Sequence, residues 1–331
     1  MHLNKPLQFP SQLPAGYHYG DEAVKFDPAR HLQLEAPQEV LKLSDLGYTP
    51  EEIQACATDF AVSSAVRILS DEGVDVMVDI ARSLKKNAVG CERIENMVRG
   101  GAYRSEFLRD FCLCAEVTEF MGEIFGVPVT PHTMPLHLGH LNYAPDDLSR
   151  SVDKWHHDTL ALDYVLFLSD PNELEGGDFQ YFSGTRSQAQ EFSQRSEPIP
   201  DELAVSPVFP GAGYAIVLHG NMVVHRATSL KRRSERITLV NGYVSLDSQL
   251  DDVCRFPDLS VVDPHHVLFT EWARHKAWLS AGKLHHLIDN IPFTDDAQAL
   301  TQRLKYAIAD VQSAIDDLND DSNATMVHYG D

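Results

Sequence analysis

Helical spacing dominates the chain from residue 37 to about residue 127. Ser70 can cap a helix that begins at Asp71, where acidic side chains suit a helix N-terminus. The apolar residues of this helix share one face, at Val74, Met77, Ala81 and Leu84. A second amphipathic segment, EVTEFMGEIFG, ends at its last glycine. We expect 37–127 to be mainly helical, behind an irregular arm over 1–36.

The pattern changes to short β-prone runs between residues 128 and 248. Turn-forming residues separate these runs, whose sequences are TMPLHLGHLNY, LALDYVLFLSD, GDFQYF, GYAIVLHG, NMVVHRA and RITLVNGYV. Six or more strands at this spacing predict a sandwich or a barrel. A polar insertion over 183–208 interrupts the runs, and we consider it a candidate active-site lid.

Helical spacing returns over 249–331, which ends in a polar tail. One apolar stripe recurs at Leu300, Leu304, Ile308, Val311, Ile315 and Leu318. This stripe predicts a helix that braces the β core or that contacts a second subunit of a homo-oligomer. The chain as a whole, 1–331, is expected to form a single mixed α/β domain with a β core between N- and C-terminal helices.

Composition excludes several classes of protein. The chain has 331 residues, of which 43% are hydrophobic and 23% charged, as in soluble globular proteins. No apolar run approaches the roughly 20 residues that span a bilayer, and the N-terminus lacks a signal-peptide pattern, so a cytoplasmic protein is expected. A net charge of −22 repels phosphate backbones and anionic membranes, so neither is an expected partner. The five cysteines, including the pair Cys112 and Cys114, are expected to be free thiols.

The stretch KWHHDTLALDYVLFLSD contains the strongest candidate chemistry. Because side chains two residues apart share one face of a strand, His156 and Asp158 point one way and His157 the other. One imidazole and one carboxylate then converge, and borderline metals such as Fe(II) accept this mixed ligand set. A three-ligand site needs one more imidazole from another strand.

Two histidines downstream can supply that ligand. His225 follows an apolar, β-branched run, as expected for a strand that faces an interior, whereas His219 precedes Gly220-Asn221 and so lies near a strand end at a hairpin turn. Arg236 follows His225 by eleven residues, and a second hairpin at SLKRRSE would place its strand beside that of His225. This arginine could hold a carboxylate, with Thr238 on the same face.

The order His156-x-Asp158, then His225, then Arg236 resembles the signature of the Fe(II)/2-oxoglutarate-dependent oxygenases. The spacing of 69 residues from the first histidine to the second and the offset of the arginine agree with that family. The WHxD form, at 155–158, is most similar to the phytanoyl-CoA dioxygenase-like branch. The resemblance covers roughly residues 60 to 245.

This resemblance implies a double-stranded β-helix core (a jelly roll, as in cupins). It also implies that His156, Asp158 and His225 bind Fe(II) and that Arg236, aided by Thr238, binds the distal carboxylate of 2-oxoglutarate. The implied reaction uses O2, releases succinate and CO2, and hydroxylates an unactivated C–H bond of a small-molecule metabolite. The alternatives are desaturation, cyclisation or carbon–heteroatom cleavage at the same iron, and a non-oxidative cupin-like binding or regulatory protein.

Other residues are weaker candidates. His140 and Asn142 share a face of a strand that should run beside the iron strand, where related enzymes contact 2-oxoglutarate or substrate. Tyr143 follows them and is a candidate for substrate contact. Arg104 and Arg150 could bind an anionic substrate, although surface salt bridges explain both equally well.

Overall fold

A computed structural model describes residues 3–320 and 326–330. Within these ranges the chain forms two antiparallel sheets and nine α-helices, which confirms the mixed α/β class. The helices are α1 (Pro28–His31), α2 (Pro50–Gln54), α3 (Asp71–Leu84), α4 (Glu106–Cys112), α5 (Ala115–Phe125), α6 (Arg186–Gln194), α7 (Phe256–Ser260), α8 (His265–Asn290) and α9 (Ala297–Leu318).

Fourteen strands lie in the described residues. They are β1 (Leu32–Glu35), β2 (Val40–Lys42), β3 (Phe60–Ser63), β4 (Val66–Leu69), β5 (Met97–Val98), β6 (Val129–Pro131), β7 (His140–Tyr143), β8 (Asp153–His156), β9 (Leu162–Phe167), β10 (Phe179–Phe182), β11 (Ala204–Val205), β12 (Tyr214–Leu218), β13 (His225–Ala227) and β14 (Ile237–Ser245). The large sheet has the order β1-β4-β12-β9-β14-β7-β5, with β2, β3 and β6 attached beside it. The small sheet has the order β11-β10-β13-β8.

The chain alternates between the two sheets as it passes through the β region. Strands β7, β9, β12 and β14 belong to the large sheet, whereas β8, β10, β11 and β13 belong to the small one. The hairpins expected around Gly220-Asn221 and at SLKRRSE are therefore wrong, because both segments cross from one sheet to the other. Residues that are far apart in the sequence consequently face each other across the space between the sheets.

The central strands of the large sheet are buried on both faces. In β9, Tyr164 and Leu166 pack with helices α3 to α5, whereas Val165 and Phe167 pack with small-sheet residues such as Phe179. A strand covered on both sides has an almost continuous apolar sequence, and this explains the run LALDYVLFL. The side of the large sheet that faces the small sheet is the side that carries the candidate chemistry.

Helix α3 begins at Asp71 with the Ser70 hydroxyl accepting from the Gly73 amide, as expected. Helix α5 ends at Gly126, which adopts the left-handed conformation that glycine tolerates. The expectation for 1–36 needs correction, because this arm ends in α1 and β1, and β1 pairs with β4. The region 37–127 likewise contains four strands that extend the large sheet.

Two further expectations change with the tertiary structure. The insertion 183–208 contains helix α6 and strand β11, and it packs under Trp155 and Phe182. Residues 321–325 of the polar tail lie outside the described residues. Beyond them Tyr329 and Gly330 exchange backbone hydrogen bonds with Trp155, so the tail returns to the edge of the small sheet. No described helix is long and apolar enough to span a membrane.

Candidate metal centre

Strands β8 and β13 bring three side chains to one point between the sheets. The antiparallel register of the two strands places His225 directly opposite His156. Asp158 lies two residues beyond the end of β8, and its carboxylate oxygens are each 3.4 Å from the Nε2 atom of one histidine. One ligand atom from each residue lies within 4.8 Å of the others. This spacing suits three ligands of one ion.

Backbone carbonyls select the ring nitrogen that each histidine presents. The Nδ1 atom of His156 lies 2.7 Å from the Lys154 carbonyl, and that of His225 lies 3.0 Å from the Val223 carbonyl. Because a carbonyl only accepts, both Nδ1 atoms must carry the proton, and each Nε2 atom keeps its lone pair. The two lone pairs face the carboxylate of Asp158.

Electrostatics give all three groups the protonation state that a divalent cation needs. Burial lowers the pKa of His156 to about 3, and burial also lowers the pKa of His225. Burial would raise the pKa of Asp158, but the neighbouring imidazoles of His225 and His156 hold it well below its ordinary value. The site therefore presents two neutral imidazoles and one carboxylate at neutral pH.

Neighbouring groups fix the position of Asp158. The backbone N–H of Asp158 donates to the Gly220 carbonyl at 2.9 Å. The fully buried Asp163 lies beside it, and burial together with the charge of Asp158 raises the pKa of Asp163 well above its ordinary value. A neutral Asp163 can donate a hydrogen bond to Asp158. Gly220 leaves room for this acid, since a Cβ atom there would come within 2.1 Å of the Asp163 Oδ2 atom.

A cavity of about 80 Å³ opens at the three side chains. Its walls come from both sheets, because β7, β9 and β14 contribute from the large sheet and β8, β10 and β13 from the small one. Thr238 and Val240 line it from one face of β14, and Arg236, directly before that strand, continues the same two-residue spacing.

Arg236 is a buried cation inside this cavity, with 2% of its surface exposed. Its Nε atom donates to the Gly177 carbonyl at 2.7 Å, and its guanidinium lies over the Phe167 ring. Its two terminal nitrogens have no hydrogen-bond acceptor among the described residues. Burial lowers the pKa of Arg236 to about 10, so the group stays charged at neutral pH. A buried cation with two unused donors is suited to bind a carboxylate.

His140 and Asn142 also line the cavity, from β7. The His140 Nε2 atom lies 2.6 Å from the Asn142 Oδ1 atom, and Arg99 approaches the other ring nitrogen at 2.9 Å. The arginine can only donate, so the Nδ1 atom accepts and the Nε2–H group donates to Asn142. Burial and Arg99 lower the pKa of His140 to about 3, which keeps the ring neutral.

The three residues proposed for substrate contact lie outside the cavity, and this corrects the expectation. Tyr143 points to the opposite face of β7, where its hydroxyl donates to the Ala81 carbonyl at 2.7 Å. Arg104 stacks on Tyr17 beside a separate cavity under the N-terminal arm. Arg150 donates to backbone carbonyls of the 91–92 segment. Strand alternation places the Tyr143 side chain on the face of β7 opposite the cavity. The two arginines are occupied by local packing and hydrogen bonds.

Several cavity residues were not found from the sequence. Arg93 lies 2.9 Å from Asp153, and Arg99 pairs with Asp263 at 2.8 Å. Leu259, Val262 and Met326 contribute apolar wall from α7 and the C-terminal tail. These residues sit in loops and short helices without a periodic pattern, so no signal in the sequence linked them to β8. The insertion 183–208 contributes no lining residue, and the lid expected there is not in that position.

His157 and His219 both lie outside the three-residue cluster. The ring of His157 is engaged by Arg255 at 2.9 Å and by the Tyr329 hydroxyl at 2.6 Å. The Nδ1 atom of His219 lies 2.9 Å from the Phe60 carbonyl in the core. Both histidines therefore have hydrogen-bond partners other than Asp158.

A second cluster, formed by His132, Cys254 and His275, also has metal-ligand spacing. The Met134 amide donates to the Nδ1 atom of His132, so its Nε2 atom carries the proton and has no lone pair for an ion. Asp252 lies 3.2 Å from the His275 Nε2 atom and 2.7 Å from the Lys276 ammonium. We interpret this cluster as a polar network that ties α8 to the 252–254 loop. The described cysteines, including Cys112 and Cys114, are free.

No family model and no curated protein matches the chain. Similar solved structures include the non-heme α-ketoglutarate-dependent carbocyclase SnoK from nogalamycin biosynthesis, at 17% identity over 64% of this chain and 87% of that one, with a TM-score of 0.43. EctD from S. alaskensis, in its apo form, is 14% identical over 71% and 90% of the two chains, with a TM-score of 0.43. HygX from Streptomyces hygroscopicus, with nickel and 2-oxoglutarate bound, is 15% identical over 61% and 88%, with a TM-score of 0.38. At these levels the similarities decide neither fold nor function, and the chain's own geometry has to carry both.

Proposed function

We propose that this chain is an Fe(II)- and 2-oxoglutarate-dependent oxygenase that hydroxylates an unactivated C–H bond of a small-molecule metabolite. One observation carries the proposal. Two histidines and an aspartate converge in the same cavity as Arg236, a buried arginine whose terminal nitrogens have no acceptor among the described residues. The phytanoyl-CoA dioxygenase-like branch is the proposed position within that superfamily, on the resemblance of 155–158.

Strand order supports a double-stranded β-helix core. Strands β7 to β14 divide into two four-stranded antiparallel groups, β7-β14-β9-β12 and β8-β13-β10-β11. Such alternation between facing sheets is the pattern of a jelly roll. The N-terminal arm and helix α8 pack together around Tyr103 and Leu136, which supports one domain over the described residues.

The donor set fits a first-row divalent metal. His156, Asp158 and His225 would hold it, and two imidazoles with one carboxylate on one face form the facial arrangement that non-heme Fe(II) oxygenases use. Bound iron would supply the redox chemistry that couples O2 and 2-oxoglutarate to substrate oxidation, with succinate and CO2 as products. The protein supplies position, because the backbone carbonyls and Asp163 orient the three side chains.

Arg236 would bind the distal carboxylate of 2-oxoglutarate through its terminal nitrogens. Thr238 lies two residues along the same face of β14 and can add its hydroxyl, while Asn142 pairs with it across the strands. Apolar wall residues such as Val165 and Leu259 exclude water from the reacting end of the cavity. Arg236 beside a set of three metal-ligand residues supports the oxygenase, since that reaction needs both a metal and a carboxylate-bearing co-substrate in one cavity.

The test is anaerobic loading with Fe(II) and 2-oxoglutarate, followed by O2 and measurement of succinate. Production of succinate that requires both iron and 2-oxoglutarate is the expected result. Iron bound at one per chain with no succinate, with or without a pool of metabolites, would overturn the proposal. Product analysis by mass then separates hydroxylation from desaturation, cyclisation and bond cleavage, since only hydroxylation adds one oxygen atom.

A further inference from the structure

Helix α9 presents an apolar stripe to solvent. Only Ala307, Asp310 and Ala314 are buried along its 22 residues. Five of the six aliphatic residues of the stripe are between 36% and 52% exposed, namely Leu304, Ile308, Val311, Ile315 and Leu318. The expectation that this stripe braces the β core is therefore wrong, because α9 packs on α8 through its small residues instead.

The stripe has the spacing of a helix–helix contact. Its five residues follow one another at intervals of four, three, four and three residues, which is the repeat that keeps a seam facing a partner helix. At 1.5 Å per residue the seam is about 21 Å long. No described segment of the chain covers this seam, so α9 has no partner helix for it among the described residues.

The seam is nearly symmetric about Val311. Leu304 and Leu318 lie seven residues to either side of it, and Ile308 and Ile315 lie three and four residues away. Two antiparallel copies related by a two-fold axis at Val311 would therefore place leucine against leucine and isoleucine against isoleucine. Self-complementary surfaces of this kind form isologous dimers.

Charge favours the antiparallel arrangement. Lys305 and Asp316 lie on the same flank of the seam, both exposed, and their midpoint is again next to Val311. In an antiparallel pair Lys305 faces the partner's Asp316, and the symmetry repeats this contact. In a parallel pair this flank of each helix faces the opposite flank of its partner, so the contact between Lys305 and Asp316 would not form. A membrane surface is disfavoured as the occupant by the net charge of −22.

We propose that α9 is the self-association surface of this chain, and that two copies pair antiparallel about Val311 through the seam Leu304–Leu318. This dimer is independent of the proposed oxygenase reaction, since no residue of α9 lines the cavity of the metal centre. One helix pair is smaller than the roughly 1,600 Å² of a standard interface, so we expect a dissociation constant near the micromolar range.

The first test compares two substitutions of the same chemistry in the full chain. Sedimentation from about 1 to about 200 μM should show a shift from monomer to dimer mass. Val311→Glu should raise the dissociation constant about 100-fold, because two carboxylates would be desolvated at the two-fold axis. Val208→Glu is the control, because Val208 is 84% exposed far from α9 in the sequence and should leave association unchanged. A chain that stays monomeric throughout, or a dimer that survives Val311→Glu, would overturn the proposal.

The second test concerns the antiparallel register. Lys305→Glu and Asp316→Lys should each weaken the dimer about tenfold, because each creates two like-charge contacts. The double variant K305E/D316K should restore most of the affinity, since it exchanges the two charges. Failure of the double variant to recover, while both single variants weaken association, would reject this register. These side chains are exposed, so circular dichroism should show an unchanged fold for all three.

Discussion

Each histidine of the candidate centre is oriented by a carbonyl two residues earlier in the chain. The Lys154 carbonyl accepts from His156 Nδ1–H, and the Val223 carbonyl accepts from His225 Nδ1–H. Both rings therefore present their Nε2 atom to Asp158. Each of the three side chains can therefore be removed singly while the strands that carry the other two stay in place. Predictions at this scale therefore remove one group and leave its neighbours in place.

His225→Ala should lower the affinity for Fe(II) or Ni(II) at least about 100-fold, since one of three ligands is lost. His219→Ala and His157→Ala should bind one metal ion per chain as before, because both rings have protein partners outside the cluster. Metal content after anaerobic dialysis measures this directly. If His219→Ala loses the metal and His225→Ala keeps it, the assignment of the third ligand is wrong.

Arg236→Lys should raise the KM for 2-oxoglutarate about tenfold or more while metal content stays constant. Lysine keeps the charge but cannot donate two parallel hydrogen bonds to a carboxylate. Arg232→Lys provides a matched control, because Arg232 pairs with Glu175 on the surface. Equal KM values for the two variants would show that Arg236 does not hold the co-substrate.

At the scale of secondary-structure elements, the site depends on strands that change sheets. His225 is in β13 of the small sheet and Arg236 precedes β14 of the large sheet, so they meet only because the sheets face each other. Helix α8 packs against Tyr103 and Leu136 through its buried residues Leu268 and Trp272. Its buried Glu271 accepts from the Tyr103 hydroxyl at 2.7 Å and from the Leu136 amide at 3.0 Å.

The attachment of α8 should depend on pH through Glu271. Burial raises the pKa of Glu271 from 4.5 to about 8. A carboxyl whose pKa is raised on folding contributes its full stability below the unfolded value and loses it as pH rises through the folded value. The free energy of unfolding should therefore fall between about pH 4.5 and pH 8, by up to about 1.4 kcal/mol per pH unit from this group.

Glu271→Gln should flatten that fall, since the amide does not ionise in this range. Urea denaturation at intervals from pH 5 to pH 8.5 measures the slope, with Glu51→Gln in the exposed α2 helix as the control. An unchanged pH dependence in Glu271→Gln would show that Glu271 is not the group responsible.

For the whole molecule, the candidate metal centre lies between the two sheets, because its proposed ligands lie in or just after strands of the small sheet and its cavity extends to the large one. An ion that binds only the folded chain stabilises it by mass action. At 100 times its dissociation constant, Ni(II) should contribute about 2.7 kcal/mol, which for a chain of this length raises the Tm by about 4 °C.

Calorimetry with and without Ni(II), and after EDTA, measures this shift. His225→Ala should abolish it. Cys254→Ser should retain it, since the cluster around Cys254 is interpreted as a polar network. Loss of the shift in Cys254→Ser with its retention in His225→Ala would identify the second cluster as the metal site.

Local patterns in the sequence were sufficient for features that neighbouring residues decide. Helices α3 and α5 follow from apolar spacing and end groups. The mixed α/β class follows from the order of the two kinds of pattern. In each case the cause lies within a few residues along the chain.

Only the tertiary structure decided which sheet each strand joins and which surfaces face each other. Alternating hydrophobicity shows that a strand has an inner face, but the same pattern suits a hairpin and a crossing between sheets. The positions of Tyr143, Arg104 and Arg150 outside the cavity, and of Met326 within it, therefore depend on contacts between distant segments. The stripe of α9 is the clearest case, because its spacing predicts a partner, and packing on α8 through Ala307 and Ala314 leaves the stripe exposed.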